Sequence, residues 1–256
     1  MHKDISIYIN SFFNEKPKVC LILGSGLDEI INNFESQTII PYTDIPNFYN
    51  TGVKGHKGEF IYGYINNTPI LCARGRFHYY EGFNFDEIGS IIEIFNYFKP
   101  KLSIITNSSG CLNLDWEIGN FMIVNKFLDF SFIDSANFKL YPVRNNQENI
   151  KALNIAKNNN IKLYEGIYTF TTGPSYETKA EIKEIISIGG NAVGMSTFPE
   201  FLKTEKLEMN TIFISCLTNY GAGLIKEKIT HEDVLKNAKK SKIKFCKLII
   251  KIIESS

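Results

Sequence analysis

The sequence lacks the features of a secreted protein, of a membrane-spanning protein and of a protein that binds a metal through closely spaced cysteines. Its five cysteines are odd in number and scattered, and no pair has the spacing of a zinc site or a redox pair, which predicts free thiols in a reducing cytoplasm. Residues 1–13 lack the apolar stretch of a signal peptide, and no apolar run approaches the ~20 residues that span a bilayer. The formal net charge is only +1, so no charge excess points to a nucleic acid. We therefore expect a soluble cytoplasmic protein with no metal and with neither a membrane nor a nucleic-acid partner.

The composition is that of a globular protein, and the chain is long enough to bury a large hydrophobic core. The chain has 256 residues, of which 44% are hydrophobic and 21% are charged. That length suits one large α/β domain. Because no linker, internal repeat or low-complexity tract interrupts the sequence, we predict a single domain over residues 1–256.

Short apolar runs alternate with helical patterns along the chain. The runs predict strands at 19–23, 60–65, 69–73, 102–106, 121–124, 164–171, 192–195 and 211–217. Helical spacing predicts helices at 27–34, 86–98 and 149–158. Capping-box patterns of Thr178 with Glu181 and of Thr197 with Glu200 predict two further helix starts, and Thr230 is predicted to cap the last helix. Residues 129–147 are predicted to be irregular. The alternation predicts an α/β fold with a mixed, mostly parallel central sheet flanked by helices on both faces.

The helix predicted from Thr230 has one apolar stripe, and lysines occupy much of its remainder. Such a helix could lie on a membrane surface or on a nucleic acid. The alternative is a helix packed on the core with a solvated basic face. We favour packing on the core, because the rest of the chain balances the helix's charge.

Residues 75–82, with the sequence GRFHYYEG, predict an anion site. Arg76 and His78 lie two positions apart, so in an extended segment both side chains point to the same side, and Tyr80 continues that side. The guanidinium fork of arginine matches the geometry of phosphate, and histidine adds a donor or proton carrier near neutral pH. A surface turn with a satisfied histidine is the alternative.

Two further glycine-rich turns could contact an anion. Ser25 lies in a Gly-Ser-Gly turn between a predicted strand and a predicted helix, where backbone N–H groups bind anions. Glu29 occupies the position of the last glycine of a dinucleotide-binding motif, which argues against that function. His56 lies between two glycines in a loop that suits ligand contact, although an ordinary turn explains it equally well.

Polar side chains also follow predicted strands, where open α/β sheets bind ligands. Ser108 belongs to such a polar run after the strand at 102–106. Glu177 precedes a predicted helix and could accept a hydrogen bond from a ring N–H of a ligand, although a role near the helix cap is the alternative. Asn219 offers both a donor and an acceptor, which suits the edge of an amide-like heterocycle.

Seven motifs in order resemble the trimeric, low-molecular-mass class of purine nucleoside phosphorylases, over nearly the whole chain. They are GSGL at 24–27, GHKG at 55–58, GRFHYYEG at 75–82, TNSSGCLN at 106–113, GPSYET at 173–178, VGMSTFPE at 193–200 and LTN at 217–219. The resemblance implies phosphorolysis of 6-oxopurine ribonucleosides and deoxyribonucleosides, such as inosine and guanosine, to the free base and the pentose 1-phosphate. It also implies purine salvage, a homotrimer, inorganic phosphate as co-substrate, and no cofactor.

The resemblance implies a role for each matching residue. Phosphate would be bound by Ser25, His56, Arg76, His78, Ser108 and Ser196. The nucleoside would be bound by Tyr80, Tyr176, Glu177, Met195, Asn219 and His231. Of these, Asn219, Glu177 and His78 would be catalytic. Relatives with asparagine at position 219 prefer 6-oxopurines, whereas those acting on methylthioadenosine carry aspartate there.

The sequence departs from the family pattern at three places. Cys111 replaces a glycine, Tyr220 replaces a residue that is often lysine, and the segment 129–147 is shorter than usual. In relatives that segment supplies an aromatic residue to the neighbouring subunit's ribose pocket, a role for which Phe132 and Phe138 are the candidates.

Three alternative functions stay open at the level of the sequence. The first is a related phosphorylase acting on methylthioadenosine or xanthosine, and Asn219 argues against methylthioadenosine. The second is a hydrolytic nucleosidase, which would not need the phosphate-binding pair Arg76 and His78. The third is a non-catalytic purine-binding relative, against which the intact set Arg76, His78, Glu177 and Asn219 argues.

Overall fold

The computed structural model describes residues 2–50, 57–133, 135–144, 146–225 and 231–256, with the side chains at 2, 146 and 231–240 left out. The strands are β1 Val19–Ile22, β2 Glu35–Pro41, β3 Glu59–Ile65, β4 Thr68–Arg74, β5 Leu102–Cys111, β6 Phe121–Asp129, β7 Lys139–Pro142, β8 Leu163–Phe170, β9 Ala192–Gly194 and β10 Thr211–Tyr220. The helices are α1 His2–Asn10, α2 Phe85–Ile88, α3 Ser90–Phe98, α4 Asn146–Asn158, α5 Lys179–Ser187, α6 Phe198–Lys206 and α7 His231–Glu254. Short 3-10 helices occupy Asp28–Asn33, Tyr42–Asp44 and Tyr79–Glu81.

The strands form one mixed sheet whose order is β10-β6-β8-β9-β5-β1-β4-β3-β2, with β7 paired to β6. An additional pairing between β10 and β5 closes the first five strands of that order into a ring. Five of the ten pairings in the described residues are parallel, including the run β4-β1-β5-β10. The α/β class and the mixed sheet are confirmed. Antiparallel pairings are as numerous as parallel ones, because β2, β3 and β4 form a meander at one edge.

One edge of β5 is interrupted at its middle. Its first residues pair with β1 up to Ile105, and its last residues, Gly110 and Cys111, pair with β9. Between these two partners no described strand pairs with the same edge of β5. The other edge of β5 pairs with β10 along its length, up to Tyr220 opposite Cys111. The gap between β1 and β9 therefore lies beside the polar residues of β5, at the carboxyl end of the parallel strands.

Helices cover both faces of the sheet, as predicted. The side chains of β1 alternate between two apolar clusters, with Val19 and Leu21 in one and Cys20 and Ile22 in the other. In the second of these clusters aromatic rings dominate; Phe127, for example, stacks on Phe201 of α6 with ring centroids 4.3 Å apart. All five cysteines carry free thiols, as the sequence predicted.

The eight predicted strands are all present, and several other predictions need correction. Strands β2 and β7 and helix α1 were not predicted: β2 is polar and mostly exposed, and β7 lies inside the segment expected to be irregular. The helix predicted at 86–98 divides at Gly89 into α2 and α3, and the helix predicted at 27–34 is a 3-10 helix. The run 106–110, predicted to follow a strand, lies within β5, because pairing with β10 prolongs the ladder.

The apolar stripe of the last helix packs in the core. Phe245, Leu248 and Ile249 of α7 are fully buried. Of its lysines, Lys242 pairs with Glu29 at 3.0 Å, and Lys244 and Lys247 donate to Asn120 Oδ1 and to the Asn159 carbonyl. The favoured interpretation of this helix is thereby confirmed. The start that was predicted at Thr230 lies outside the described residues. Within the described part of the chain, no helix is long and apolar enough to cross a membrane.

Gly24, which follows β1, approaches the backbone of β5 too closely for a side chain. A Cβ at this position would lie 2.6 Å from Asn107 Cα. Its φ is not in the left-handed region, so alanine would be tolerated by the backbone alone. We expect Gly24→Ala to lower the free energy of unfolding by about 1–3 kcal/mol through overpacking, measured by urea denaturation. An unchanged or higher stability would show that the two segments can separate.

Candidate active site

A cleft opens at the carboxyl ends of β1, β4, β5 and β10, beside the gap in the edge of β5. It measures about 780 Å³, counted to its open mouth. The residues that line it come from six strands or the loops that follow them, and they are Ser25, Arg76, His78, Tyr80, Ser108, Ser109, Gly110, Tyr176, Glu177, Val193, Gly194, Met195, Ser196, Thr218, Asn219, Gly221 and Ala222.

The turn after β1 is held against β5 by hydroxyl groups. Thr106 Oγ1 donates to the Ile22 carbonyl at 2.9 Å and accepts from the Gly24 N–H at 3.0 Å. Ser108 Oγ donates to the Ser25 carbonyl at 2.7 Å. These bonds hold the turn at the open edge of β5, where its backbone and the Ser25 hydroxyl border the cleft.

Arg76 is a buried cation aimed at the cleft. Only 1% of its surface is exposed, and its Nε donates to Glu200 Oε1 at 3.1 Å. Its Nη1 lies 3.4 Å from Ser196 Oγ, while the buried Nη2 has no hydrogen-bond partner in the described residues. A buried guanidinium N–H without a partner is costly, so Nη2 is suited to an anionic ligand.

Glu200 is the counter-ion that makes this arrangement possible. It is completely buried in α6, and its Oε1 bonds to Arg76. Burial raises the pKa of Glu200, and the charge of Arg76 opposes that rise. Because an unpaired charge in this position would be strongly unfavourable, the pair fixes the guanidinium relative to α6.

The residue before α6 has a strained backbone. Thr197 has a φ of 73°, an unusual value for a β-branched residue. Its hydroxyl accepts from Asn107 Nδ2 of β5 at 3.0 Å and lies 3.3 Å from Ser196 Oγ. A strained residue of this kind costs about 1–3 kcal/mol and persists only where its surroundings hold it. Here β5 holds it, and Ser196 is directed toward Arg76 as a result.

His78 is oriented by its own local turn. Its Nδ1 lies 3.0 Å from Glu81 Oε2, and the same carboxylate oxygen accepts from the His78 backbone N–H at 2.9 Å. With the carboxylate as the acceptor, Nδ1 carries a proton, and Nε2 is the ring nitrogen that can contact a ligand. The Tyr80 ring stacks on the imidazole at a centroid distance of 4.8 Å. Burial raises the pKa of Tyr80 to about 12, so its hydroxyl stays protonated and can donate.

The other end of the cleft carries a carboxylate and an amide. Thr171 Oγ1 donates to Glu177 Oε1 at 2.7 Å. Burial raises the pKa of Glu177, and the hydrogen bond from Thr171 lowers it in part. Asn219 Oδ1 accepts from Thr218 Oγ1 at 2.8 Å, and its Nδ2 donates to the Tyr220 carbonyl at 3.0 Å. An acceptor and a donor are thereby fixed in the same cleft, the acceptor shortly before α5 and the donor near the end of β10.

The structure brings ten of the twelve residues singled out from the sequence into this one cleft. They are Ser25, Arg76, His78, Tyr80, Ser108, Tyr176, Glu177, Met195, Ser196 and Asn219. His56 lies outside the described residues. His231 begins α7, but its side chain is outside the described part as well.

Sequence reasoning missed the residues that support the site. Glu81, Thr171 and Glu200 were not recognised as partners of His78, Glu177 and Arg76. Glu200 was interpreted as half of a capping box with Thr197, and that prediction is wrong in part. The carboxylate does interact with the Thr197 N–H, but the Thr197 side chain makes no cap and Glu200 pairs with Arg76. The capping box of Thr178 with Glu181 is confirmed.

The departures at positions 111 and 220 have local explanations. Cys111 is buried at the end of β5 and its Sγ donates to the Asn113 carbonyl at 3.2 Å. The Tyr220 hydroxyl donates to the Trp116 carbonyl at 2.8 Å. Both residues therefore brace the strand ends that carry Gly110 and Asn219.

The fold and the cleft agree with the family found by comparison. Residues 18–254 match the family model described as the phosphorylase superfamily. The chain therefore belongs to the phosphorylase superfamily. The resemblance that the seven ordered motifs indicated is confirmed.

Relatives of known name are purine nucleoside phosphorylases. Purine nucleoside phosphorylase 1 of Geobacillus stearothermophilus is 33% identical over 97% of this chain and 94% of its own. The crystal structure of Schistosoma mansoni purine nucleoside phosphorylase in complex with inosine superposes with a TM-score of 0.89 at 26% identity, over 100% of this chain and 96% of that chain. The same enzyme in complex with adenosine superposes with a TM-score of 0.88 at 26% identity, over 99% and 96% of the two chains.

The Arg76–Glu200 pair can be tested as a structural element. We expect Glu200→Ala to lower the free energy of unfolding by about 3–5 kcal/mol, because it leaves a buried, unpaired guanidinium. Chemical denaturation monitored by circular dichroism measures it. Glu208→Ala is the control: Glu208 pairs with Arg144 at the surface, so its removal should cost no more than about 1 kcal/mol. Equal losses for the two variants would contradict a special role for the buried pair.

Proposed function

We propose that the protein catalyses phosphorolysis of 6-oxopurine ribonucleosides and deoxyribonucleosides, yielding the free base and the pentose 1-phosphate. The observation that carries the proposal is the buried Arg76, whose Nη2 has no hydrogen-bond partner among the described residues, in the same cleft as Glu177 and Asn219. An anion subsite and a heterocycle subsite in one cleft suit a reaction between phosphate and a nucleoside. The relative solved with inosine supports the same assignment.

The phosphate would be held by Arg76, His78, Ser25, Ser108 and Ser196. The guanidinium supplies fixed donors that match phosphate oxygens. Ser109 is a further candidate, since its buried Oγ has no partner in the described residues. His78 Nε2 would accept a proton from a protonated phosphate or donate one when the imidazole is charged. His56 is also proposed to bind phosphate, and the only support is its place in the GHKG motif at 55–58.

The chemistry requires stabilisation of charge at two places. Cleavage of the N-glycosidic bond leaves positive charge on the sugar and negative charge on the departing purine. Phosphate bound next to the sugar stabilises the cation and then bonds to its anomeric carbon. A preorganised donor such as Asn219 Nδ2 would stabilise the purine anion, and one donor of this kind contributes roughly 3 kcal/mol. Binding both reactants in one cleft removes much of the entropic barrier.

The purine would lie between Glu177 and Asn219. An ionised Glu177 accepts from the N1–H of a 6-oxopurine, and the Asn219 amide presents a donor to its O6 and N7 edge. Tyr176 would stack on the base, Tyr80 and Met195 would contact the ribose, and His231 would lie near the 5′-hydroxyl. No cofactor or metal enters this scheme, and phosphate is a substrate. The product bases would feed purine salvage.

We also propose a homotrimer in which a neighbouring subunit completes the ribose subsite. Phe132 and Phe138 are 49% and 43% exposed, on the segment that precedes β7. Exposed aromatic rings of this kind are typical of interfaces. Multi-angle light scattering would measure the mass, and a monomer that turns over nucleoside at full rate would contradict the shared subsite.

The first experiment measures hypoxanthine release from inosine with and without inorganic phosphate, beside guanosine, xanthosine, adenosine and methylthioadenosine. Phosphate-dependent release from inosine is the expected result. Release without phosphate would make the protein a hydrolase. Turnover of only the 6-amino substrates would contradict the assignment of Asn219, and binding without turnover would leave a purine-binding protein.

Arg76→Lys tests the phosphate subsite separately from the purine subsite. An ammonium group cannot bond to Glu200 and present a second planar N–H to phosphate at once. We expect the KM for phosphate to rise about tenfold or more, the value of one lost hydrogen bond to a charged group, with the KM for inosine nearly unchanged. Initial-rate kinetics with each substrate varied in turn would measure both constants. A rise confined to the KM for inosine would count against the assignment.

A further inference from the structure

Thr171 contacts Glu177, the carboxylate that is proposed to bind the purine. It precedes the GPSYET motif at 173–178 and is not part of it. It is the first residue after β8, and its backbone N–H donates to the Gly194 carbonyl of β9 at 3.0 Å. Its hydroxyl donates to Glu177 Oε1 at 2.7 Å. No other side chain in the described part of the chain hydrogen-bonds to the Glu177 carboxylate. The Thr171 hydroxyl, held in place by the backbone bond to β9, therefore orients the Glu177 carboxylate that would bind the purine.

We propose that Thr171 is a specificity-determining positioning residue: its hydroxyl holds Glu177 in the ionised, acceptor-only form and turns Oε2 toward the N1–H of a 6-oxopurine. The inference rests on the proposed function, because it takes Glu177 as the contact to the base.

The protonation state of Glu177 is set by opposing effects. Burial raises the pKa of its carboxyl group, and so does the like charge of Glu181 in the first turn of α5. The Thr171 hydroxyl and the Glu177 backbone N–H stabilise the charged form and lower the pKa. Without the hydroxyl the pKa rises further, so the carboxylate is protonated at a higher pH than in the native protein.

Protonation of Glu177 would change which purine fits. A 6-oxopurine presents N1–H, a donor, and requires a carboxylate acceptor. A 6-aminopurine presents N1 as an acceptor, which a carboxylate repels and a carboxylic acid can satisfy by donating its proton. A group that keeps Glu177 ionised therefore favours inosine over adenosine, and the preference weakens as the pH falls through the pKa of Glu177.

The experiment compares Thr171→Val with Thr171→Ser. Valine removes the hydroxyl at nearly constant volume, and serine retains it. We expect Thr171→Val to lower kcat/KM for inosine at pH 7 about tenfold, the effect of one hydrogen bond to a charged group. The acid limb of its pH profile should move up by about one pH unit, and the ratio of inosine to adenosine turnover should shrink at low pH. Thr171→Ser should restore the wild-type limb and come within about threefold of wild-type kcat/KM.

Thr169→Val is the matched control. Thr169 lies two residues earlier in β8, and its buried hydroxyl has no hydrogen-bond partner in the described residues. The same substitution there should leave the acid limb and the inosine-to-adenosine ratio unchanged. Equal pH profiles for Thr171→Val, Thr171→Ser and wild type would overturn the inference. Absence of phosphate-dependent turnover in the wild-type protein would instead overturn the proposed function, so the two failures are distinguishable.

If Thr171→Val folds poorly, direct binding decides the question. Hypoxanthine binding by isothermal titration calorimetry to Thr171→Ser and to wild type across pH 5–8 reports the titration of Glu177 without turnover. Thr171→Ala, which avoids any packing strain caused by valine, should show the acid limb at a higher pH than wild type in the same titration. A limb at the wild-type position in Thr171→Ala would overturn the inference.

Discussion

The buried ion pair between Arg76 and Glu200 is the interaction on which the candidate site depends. Neither group could remain charged in this place alone, since removing one partner of a buried pair is far more costly than the pair itself. The pair joins the segment after β4 to α6, and it directs one guanidinium nitrogen toward Ser196, beside the cleft that both residues line. The strained Thr197 lies between these contacts and is held by Asn107 of β5. The anion-binding end is thus preorganised before any ligand enters.

Strand β5 explains why the two ends of the cleft lie together. It pairs with β1, β9 and β10, and in the described part of the chain only the edge between β1 and β9 is unpaired. Its hydroxyl groups fix the turn that carries Ser25, and its terminal residues lie opposite Asn219 and Tyr220. Pairing along almost all of β5 makes this platform rigid, and the single gap is where backbone and side-chain donors remain available to a ligand.

Much of the fold was predictable, because strand positions depend on local patterns. Apolar runs bounded by glycine and polar turns identified eight of the strands, and the amphipathic stripe of α7 identified its buried face. The missing elements lacked such patterns: β2 has a mostly polar, exposed sequence, and β7 lies in a segment with no clear alternation. The ends of β5 and β10 extend beyond the apolar runs, because pairing between two polar stretches, rather than hydrophobicity, prolongs them.

The sequence by itself determined which side chains carry the chemistry, since Arg76, His78, Glu177 and Asn219 lie in short motifs whose residue types suit phosphate and a purine. It also determined the family, because those motifs occur in order along one chain. Only the tertiary structure decided what supports them. Glu200 and Arg76 are 124 residues apart in the chain, and Thr171 reaches Glu177 only because the chain turns back after β8. Partnerships between polar groups depend on burial and distance in the folded state, and no local periodicity encodes them.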